Sequence, residues 1–439
     1  MAQERLIFHI DVNSAFLSWE AVRRVRRGEE DLRLIPSAVG GDPKSRRGII
    51  VAKSIPAKKF GVTTGEPVSM ALKKCPQLVL VKSDFRLYSQ CSKAFKDICR
   101  EYAPAVEEFS IDECFLDLTG TSQIYPDPIA LAYEIKDKIR DELGFTVNVG
   151  VARNKLCAKM ASDFEKPDRV HTLFPEEVKE KMWPLPVRDL LFVGKKSAER
   201  LNGGGIHTIG DLAQADPRYL RSLLGEKMSE QARAYASGID ESPVRPEPEV
   251  PKGFSNEVTL EDDVTTPEAA ATILLELADH VTARMRRDGA KAQCVAVSVR
   301  YLDFKTRSHQ RRLDAPTNIS REVFETAREL LAELWNGEPL RLMGVALTQL
   351  TRGEDGARQD EQLSFFGDSL LGSTAAGAES GAGKIDREKE RKLDAAMDEL
   401  RNRFGSGAVQ RGGAMAMGIR VARKASGQSD AEREEQTEL

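Results

Sequence analysis

FSIDECFLDLT, residues 109–119, reads as two short apolar strand segments, Val106–Ile111 and Cys114–Leu118, meeting at adjacent acids, Asp112 and Glu113. Neighbouring side chains of a regular strand point to opposite faces, so both carboxylates reach one site only where the backbone turns. Acids at the junction of two buried strands are costly unless a cation neutralises them. Mg²⁺ suits this role, because it takes hard oxygen ligands and is often held by one or two carboxylates plus substrate phosphates. An ordinary acidic turn in water is the competing interpretation, and the remainder of the chain decides between them.

The 439 residues are 41% hydrophobic and 31% charged. That size predicts about three or four domains with separate cores. No apolar run approaches a membrane span, and the start MAQERLIFHID lacks a signal peptide's basic and apolar regions, so a cytoplasmic protein is expected. Six cysteines (75, 91, 99, 114, 157 and 294) form no CxxC pair or zinc spacing and are expected as free thiols. The net charge of −4 announces no nucleic-acid partner, but local charge does. Arg284 to Arg312 holds nine Lys/Arg and two Asp, a net of +7, as expected of a phosphate-backbone contact.

Upstream, RLIFHIDV (5–12) is an apolar strand ending in a third acid, Asp11, and Asn13 or Ser14 is placed to cap a helix over Ala15–Arg27. The loop Gly40–Gly48 carries three cations without P-loop spacing, and Pro56–Gly61 is a basic turn or helix start. These cations either face a triphosphate or are solvated. Helical spacing over Leu87–Tyr102, Pro128–Leu143 and Asn154–Phe164 alternates with strand character at Phe145–Val151, giving one α/β layer interrupted after Asp11. Leu191–Leu201 followed by Gly205–Leu212 resembles a helix–hairpin–helix, which aims backbone N–H groups at phosphate. The proline-rich SPVRPEPEVP (242–251) is a stiff linker. Beyond it the pattern β-α-β-β-α-β runs to Leu350, with Thr266 capping the first helix and most of the basic stripe on the central strands. From residue 353 the chain reads as a mostly flexible tail with an apolar island at 362–366 and a charged helix over Asp386–Phe404.

Taken together, HIDVNSAF, AKKFGV, FSIDECFLD and VGVARNKLCAKMASDFEKP resemble, in order, the motifs of the Y-family translesion DNA polymerases of the bacterial DNA polymerase IV type. The resemblance covers roughly residues 1–352 and the island QLSFF. It implies an α+β multidomain fold: a palm (1–14 and 80–173), fingers (15–79), a helix–hairpin–helix thumb (174–241), the linker 242–251 and a βαββαβ little finger (252–352). It further implies that Asp11, Asp112 and Glu113, with the carbonyl of Val12, bind two Mg²⁺ ions. Phe16 would be the steric gate, and Lys58 and Lys166 would contact the triphosphate. DNA would meet Gly194, Lys195 and Lys196 in the thumb and Arg300, Lys305 and Arg307 in the little finger. Gln362, Leu363, Phe365 and Phe366 resemble a sliding-clamp-binding pentapeptide. The implied partners are primer–template DNA, deoxynucleoside triphosphates and a sliding clamp, engaged by a monomer with no membrane association.

Five positions depart from the family pattern. Ile55 stands where Tyr is usual, Lys58 where Arg is more common, Ala15 where an aromatic is frequent and Asn13 where a second Asp is frequent. Phe192 takes the place of the first hairpin glycine. Arg would grip a phosphate with a bidentate fork, which Lys cannot. Two rival functions remain: a catalytically inactive, clamp-tethered DNA-binding accessory protein, against which the three acids count, and a nucleotide cyclase, which would have no use for the hairpin or the basic domain.

Overall fold

The computed structural model describes residues 4–42, 48–353, 386–405 and 407–411. The chain divides into two compact units, Met1–Glu249 and Val250–Leu439. In the first, β1 (Ile7–Val12) leads into α1 (Ala15–Arg26). The following β2 (Ser37–Gly40), β3 (Ile50–Lys53), α2 (Ile55–Lys59), α3 (Val68–Lys74) and β4 (Val79–Lys82) build a three-stranded layer in the order β3-β2-β4. The chain then runs through α4 (Phe85–Tyr102), β5 (Ala105–Glu108), β6 (Glu113–Asp117), α5 (Pro128–Leu143), β7 (Val147–Ala152), α6 (Lys155–Ser162) and β8 (Val170–Leu173). These strands join β1 in a five-stranded sheet ordered β5-β6-β1-β7-β8.

β1 lies at the centre of this sheet, antiparallel to β6 and β7, and all six of its residues are buried. Strand alternation sends Phe8, Ile10 and Val12 into a core with Leu116, Val149, Phe95 and Ile135. Ile7, with Phe115 and Ala152, belongs to a second core shared with α6 and the helices beyond it. A continuous apolar run therefore forms this strand because both faces are covered. Gly150 lets α6 lie directly on β7: a Cβ there would stand 1.9 Å from the Ala158 carbonyl oxygen.

The expected helix caps at Asn13 and Ser14 are not made. Ser14 precedes α1 with φ +50° and no side-chain cap, and the Asn13 amide is committed to β7 and the loop after α6 instead. The acidic hairpin also differs in register. Its turn spans residues 109–112 and Glu113 opens β6, so Asp112 belongs to the turn and Glu113 to the strand.

Residues after 174 pass through short 3₁₀ and π-helical turns into α7 (Lys195–Gly203), α8 (Ile209–Gln214), α9 (Pro217–Leu224) and α10 (Glu226–Ala236). Thr208 and Asp211 cap α8 reciprocally. The second unit has the expected β-α-β-β-α-β order: β9 (Gly253–Val264), α11 (Pro267–Arg287), β10 (Ala290–Tyr301), β11 (Thr306–Thr317), α12 (Ser320–Leu334) and β12 (Leu340–Arg352). Its sheet runs β11-β10-β12-β9. Thr266 does cap α11, accepting from Ala269 N–H, and Gly289 follows it with φ +68°.

The region from 353 onward is not all tail. α13 (Arg387–Phe404) is held on the second unit by its charged face. Asp394, 1% exposed, accepts from the Ser320 backbone N–H at 2.9 Å, from Arg286 at 3.2 Å and from Arg411. Arg286 also grips Asp398, and Arg401 donates to Asp279 at 2.6 Å. Leu393, Leu400 and Phe404 are left exposed. Beside Met397 the helix buries the charged Glu390 and Asp394, and it leaves these three apolar side chains outward, unlike ordinary amphipathic packing. The island 362–366 lies outside the described residues.

Candidate active site

Register places Asp11 of β1 directly opposite Glu113 of β6, so their side chains share one face of the sheet. The Val12 N–H donates to the Asp112 carbonyl at 3.0 Å, tying the turn to the end of β1. The Asp112 carboxylate accepts from the Ser110 hydroxyl at 2.7 Å. Among the described residues, no three His, Cys, Asp or Glu side chains converge as a metal site. Asp11 and Glu113 converge as a pair, and Asp112 stands beside them on its own partner.

Two lysines enclose that pair. Lys159, in the middle of α6, places its ammonium 2.6 Å from Glu113 Oε1, 3.1 Å from Asp11 Oδ2 and 3.2 Å from Asp163 Oδ2. Lys166 reaches the other Asp11 oxygen at 2.9 Å and Asp163 at 2.9 Å. Burial pushes the Asp11 carboxyl up, but hydrogen bonding with Glu113 and the two ammonium groups prevail and bring it down to about 2. Glu113 moves up to about 7, from burial and from its hydrogen bond with Asp11, against the pull of Lys159. Such a pair releases its protons jointly. Burial would lower Lys159, but Asp11 and Glu113 outweigh it and raise its pKa. Beneath them His9 is fully buried, its Nδ1 2.8 Å from the Ser162 hydroxyl and its Nε2 4.0 Å from Glu113. Burial, then Lys159, holds this imidazole well below its usual value and so neutral.

The loop carrying Lys166 is pinned by Asn148, which faces Asp11 from β7. Its Nδ2 donates to the carbonyls of Ser162 and Glu165, while its Oδ1 accepts from Asn13 Nδ2 at 3.0 Å. Asn13 Oδ1 in turn accepts from Thr146 and from the Asp168 N–H. An aspartate at position 13 could accept but not donate to Asn148, which gives the Asn13 departure a structural reason.

Other expected site residues stand apart from the acids. Phe16 is half-buried, its ring centroid 4.7 Å from Tyr88 and 5.7 Å from Trp19. Lys58 is exposed on α2, whose first residue, Ile55, is 61% exposed. Lys44, Arg46 and Arg47, the cations of the glycine loop, lie outside the described residues. Gly194 precedes α7, with Lys195 and Lys196 exposed in its first turn. Phe192 holds φ +67°, the left-handed backbone that a glycine would adopt freely, and lines a cavity of about 180 Å³ with Phe109, Phe115 and Tyr235.

In the second unit the expected trio divides. Arg300 pairs in register with Thr306, on the sheet face away from the helices. Arg307 pairs with the fully buried Val299, on the helix-covered face, and lies over the Tyr301 ring. Lys305 sits in the intervening turn, 2.8 Å from Asp303. Arg286 and Arg311 are tied to acids of the same unit, so only part of the basic stripe is available to a phosphate.

Lys159, His9 and Asn148 have no role assigned from sequence. The available signal was Lys159 lying seven residues before Lys166, on a helix with apolar neighbours.

The impB/mucB/samB family model matches residues 10–163, its C-terminal domain matches 251–364, and the family's helix–hairpin–helix motif matches 175–206. DNA polymerase IV of Clostridium acetobutylicum is 38% identical over 93% of this chain and 97% of its own length. DNA polymerase IV of Acetivibrio thermocellus is 36% identical over 93% and 97%. DNA polymerase IV 1 of Bacillus subtilis is 34% identical over 93% of each. A solved Y-family DNA polymerase chimera superposes with TM-score 0.70 at 22% identity, over 79% of this chain and all of that one. Its likeness extends to the fold: a palm, fingers and thumb core with a helix–hairpin–helix and a separate sheet domain. No helix among the described residues is long and apolar enough to cross a membrane. The chain therefore belongs to the impB/mucB/samB family, as a Y-family DNA-directed DNA polymerase of the DNA polymerase IV group.

Proposed function

We propose that this protein extends primers on damaged DNA templates with low fidelity, by two-metal nucleotidyl transfer, recruited by a sliding clamp. One observation carries this reading: Asp11 and Glu113 face each other across adjacent strands, with the Lys159 ammonium lodged between their oxygens. A site that already holds an ammonium between two carboxylates has the hard-oxygen donor set of a Mg²⁺ site. Asp11 and Glu113, with Asp112 and the Val12 carbonyl, would hold the metal. Bound there, two Mg²⁺ would lower the pKa of the primer 3′-OH and stabilise the departing pyrophosphate.

The chain's own residues do the positioning. Lys166, held by the Asn148 network, meets the triphosphate as a point charge, and exposed Lys58 meets it from α2. Phe16, braced by Tyr88 and Trp19, takes the sugar edge and disfavours a 2′-OH. The free N–H groups at the start of α7, with Lys195 and Lys196, suit a DNA phosphate. Arg300 and Lys305 suit a second stretch of backbone, and Gln362, Leu363, Phe365 and Phe366 the clamp. Primer extension with and without Mg²⁺ tests the reading. Template-directed products that require the metal support it; DNA binding without extension would favour the accessory protein.

A further inference from the structure

Lys159 occupies a position that no part of the polymerase scheme above requires. It is a lysine in the middle of a helix, with only 11% of its side chain exposed. Its ammonium has three N–H donors, and three carboxylates surround it: Glu113 at 2.6 Å, Asp11 at 3.1 Å and Asp163 at 3.2 Å. Its aliphatic stem comes off α6 among buried neighbours, Leu156, Ala158, Met160 and Ala161, and α6 is locked onto β7 by the close approach at Gly150. The ammonium is thus delivered to the carboxylate pair by the fold rather than by a mobile surface chain.

We propose that Lys159 is a resident counter-cation, which holds Asp11 and Glu113 together in the metal-free protein and competes with the divalent ion for their oxygens. This rests on the carboxylate pair being the metal site proposed above. Asp11, buried, and Glu113, part-buried, repel when both are ionised, and a fixed positive charge between them offsets the repulsion. A divalent ion must take Asp11 Oδ2 and Glu113 Oε1 from the ammonium. Its apparent affinity is therefore lowered by the cost of that displacement. Lys159 is a positioning residue here: it sets the geometry and the metal affinity of the acids.

The test uses the full chain without nucleotide and reads Mn²⁺ binding by electron paramagnetic resonance alongside melting temperature in chelator and in Mn²⁺. Lys159→Met keeps the length of the side chain and removes its charge; Lys159→Gln carries the test should the methionine variant fail to fold. Asp11→Asn identifies which bound Mn²⁺ belongs to this site. We expect Lys159→Met to bind Mn²⁺ about tenfold more tightly than wild type. It should also melt lower than wild type in chelator and recover most of that difference in Mn²⁺. A lysine serving only to pack α6 would lower the melting temperature in both conditions and leave Mn²⁺ affinity unchanged or weaker, which overturns the inference. If wild type shows no Mn²⁺ binding that Asp11→Asn removes, the metal-site reading itself fails, and the inference with it.

Discussion

Replacing Asp394 with alanine should detach α13 from the second unit. The carboxylate is buried, and its two oxygens accept from the Ser320 N–H, Arg286 and Arg411. Breaking a buried ion pair from one side costs about 3–5 kcal/mol, because the partner charge stays behind uncompensated. Here the residue of the network softens the loss. Arg286 keeps Asp398 at 2.7 Å and the Asn318 carbonyl at 2.9 Å, and Arg411 keeps Asp279 at 3.3 Å. The Ser320 N–H, buried with its residue, loses its acceptor outright. The lower end of that range, about 3 kcal/mol, is therefore expected. Amide hydrogen exchange resolved to residues 387–404 reads this helix directly. About 3 kcal/mol corresponds to a loss of protection of roughly a hundredfold in α13, with the β1–β6 core unchanged. A change below about threefold would refute the view that buried charge, rather than the exposed apolar stripe, anchors this helix.

Phe16→Ala should raise ribonucleotide relative to deoxyribonucleotide incorporation, measured by single-turnover insertion. It should also lose about 2–3 kcal/mol of stability, since Phe16 packs on Tyr88 and Trp19. An unchanged ratio in an active variant would make Phe16 a packing residue alone. Arg300→Ala should flatten the salt dependence of primer–template binding more than Arg307→Ala, because the two side chains lie on opposite faces of the sheet. Equal slopes in titrations at several salt concentrations would contradict that assignment. Burial and the hydrogen bond with Asp11 push the Glu113 carboxyl up to about 7 from its ordinary 4.5. Its contribution to stability is full below its unfolded value and is lost as pH rises through its folded one. Metal-free stability should therefore decline between those two values, and Glu113→Gln should remove the decline. Urea midpoints across that range measure both.

The acid pair and its strand were legible because their signals are local. An apolar run ending at Asp11, and two more flanking Asp112 and Glu113, specify central strands from sequence alone. The division of labour between the two acids was not legible. It depends on where the turn falls, and a shift of one residue moves a side chain to the other face. Lys159 was hidden for a different reason: a helical lysine four residues after Lys155 looks solvated until α6 is known to lie on β7, beside β1. α13 defeats periodicity altogether. Its apolar stripe, Leu393, Leu400 and Phe404, would be assigned inward, whereas the inward face is Glu390, Asp394 and Met397. The complementary charges on Arg286 and Asp279, far off in sequence, and on Arg411 just past the helix make that face the buried one.

Asp112→Asn, assayed by single-nucleotide insertion on a primed template with Mg²⁺, asks whether Asp11, Asp112 and Glu113 hold the catalytic metals of a polymerase. Asparagine keeps an oxygen to accept from Ser110, so the turn should hold its shape while one charge is lost. Insertion should be abolished while affinity for the primer–template stays near that of wild type. Insertion within about tenfold of wild type, equivalent to about 1.4 kcal/mol of barrier, would show that Asp112 holds no catalytic metal.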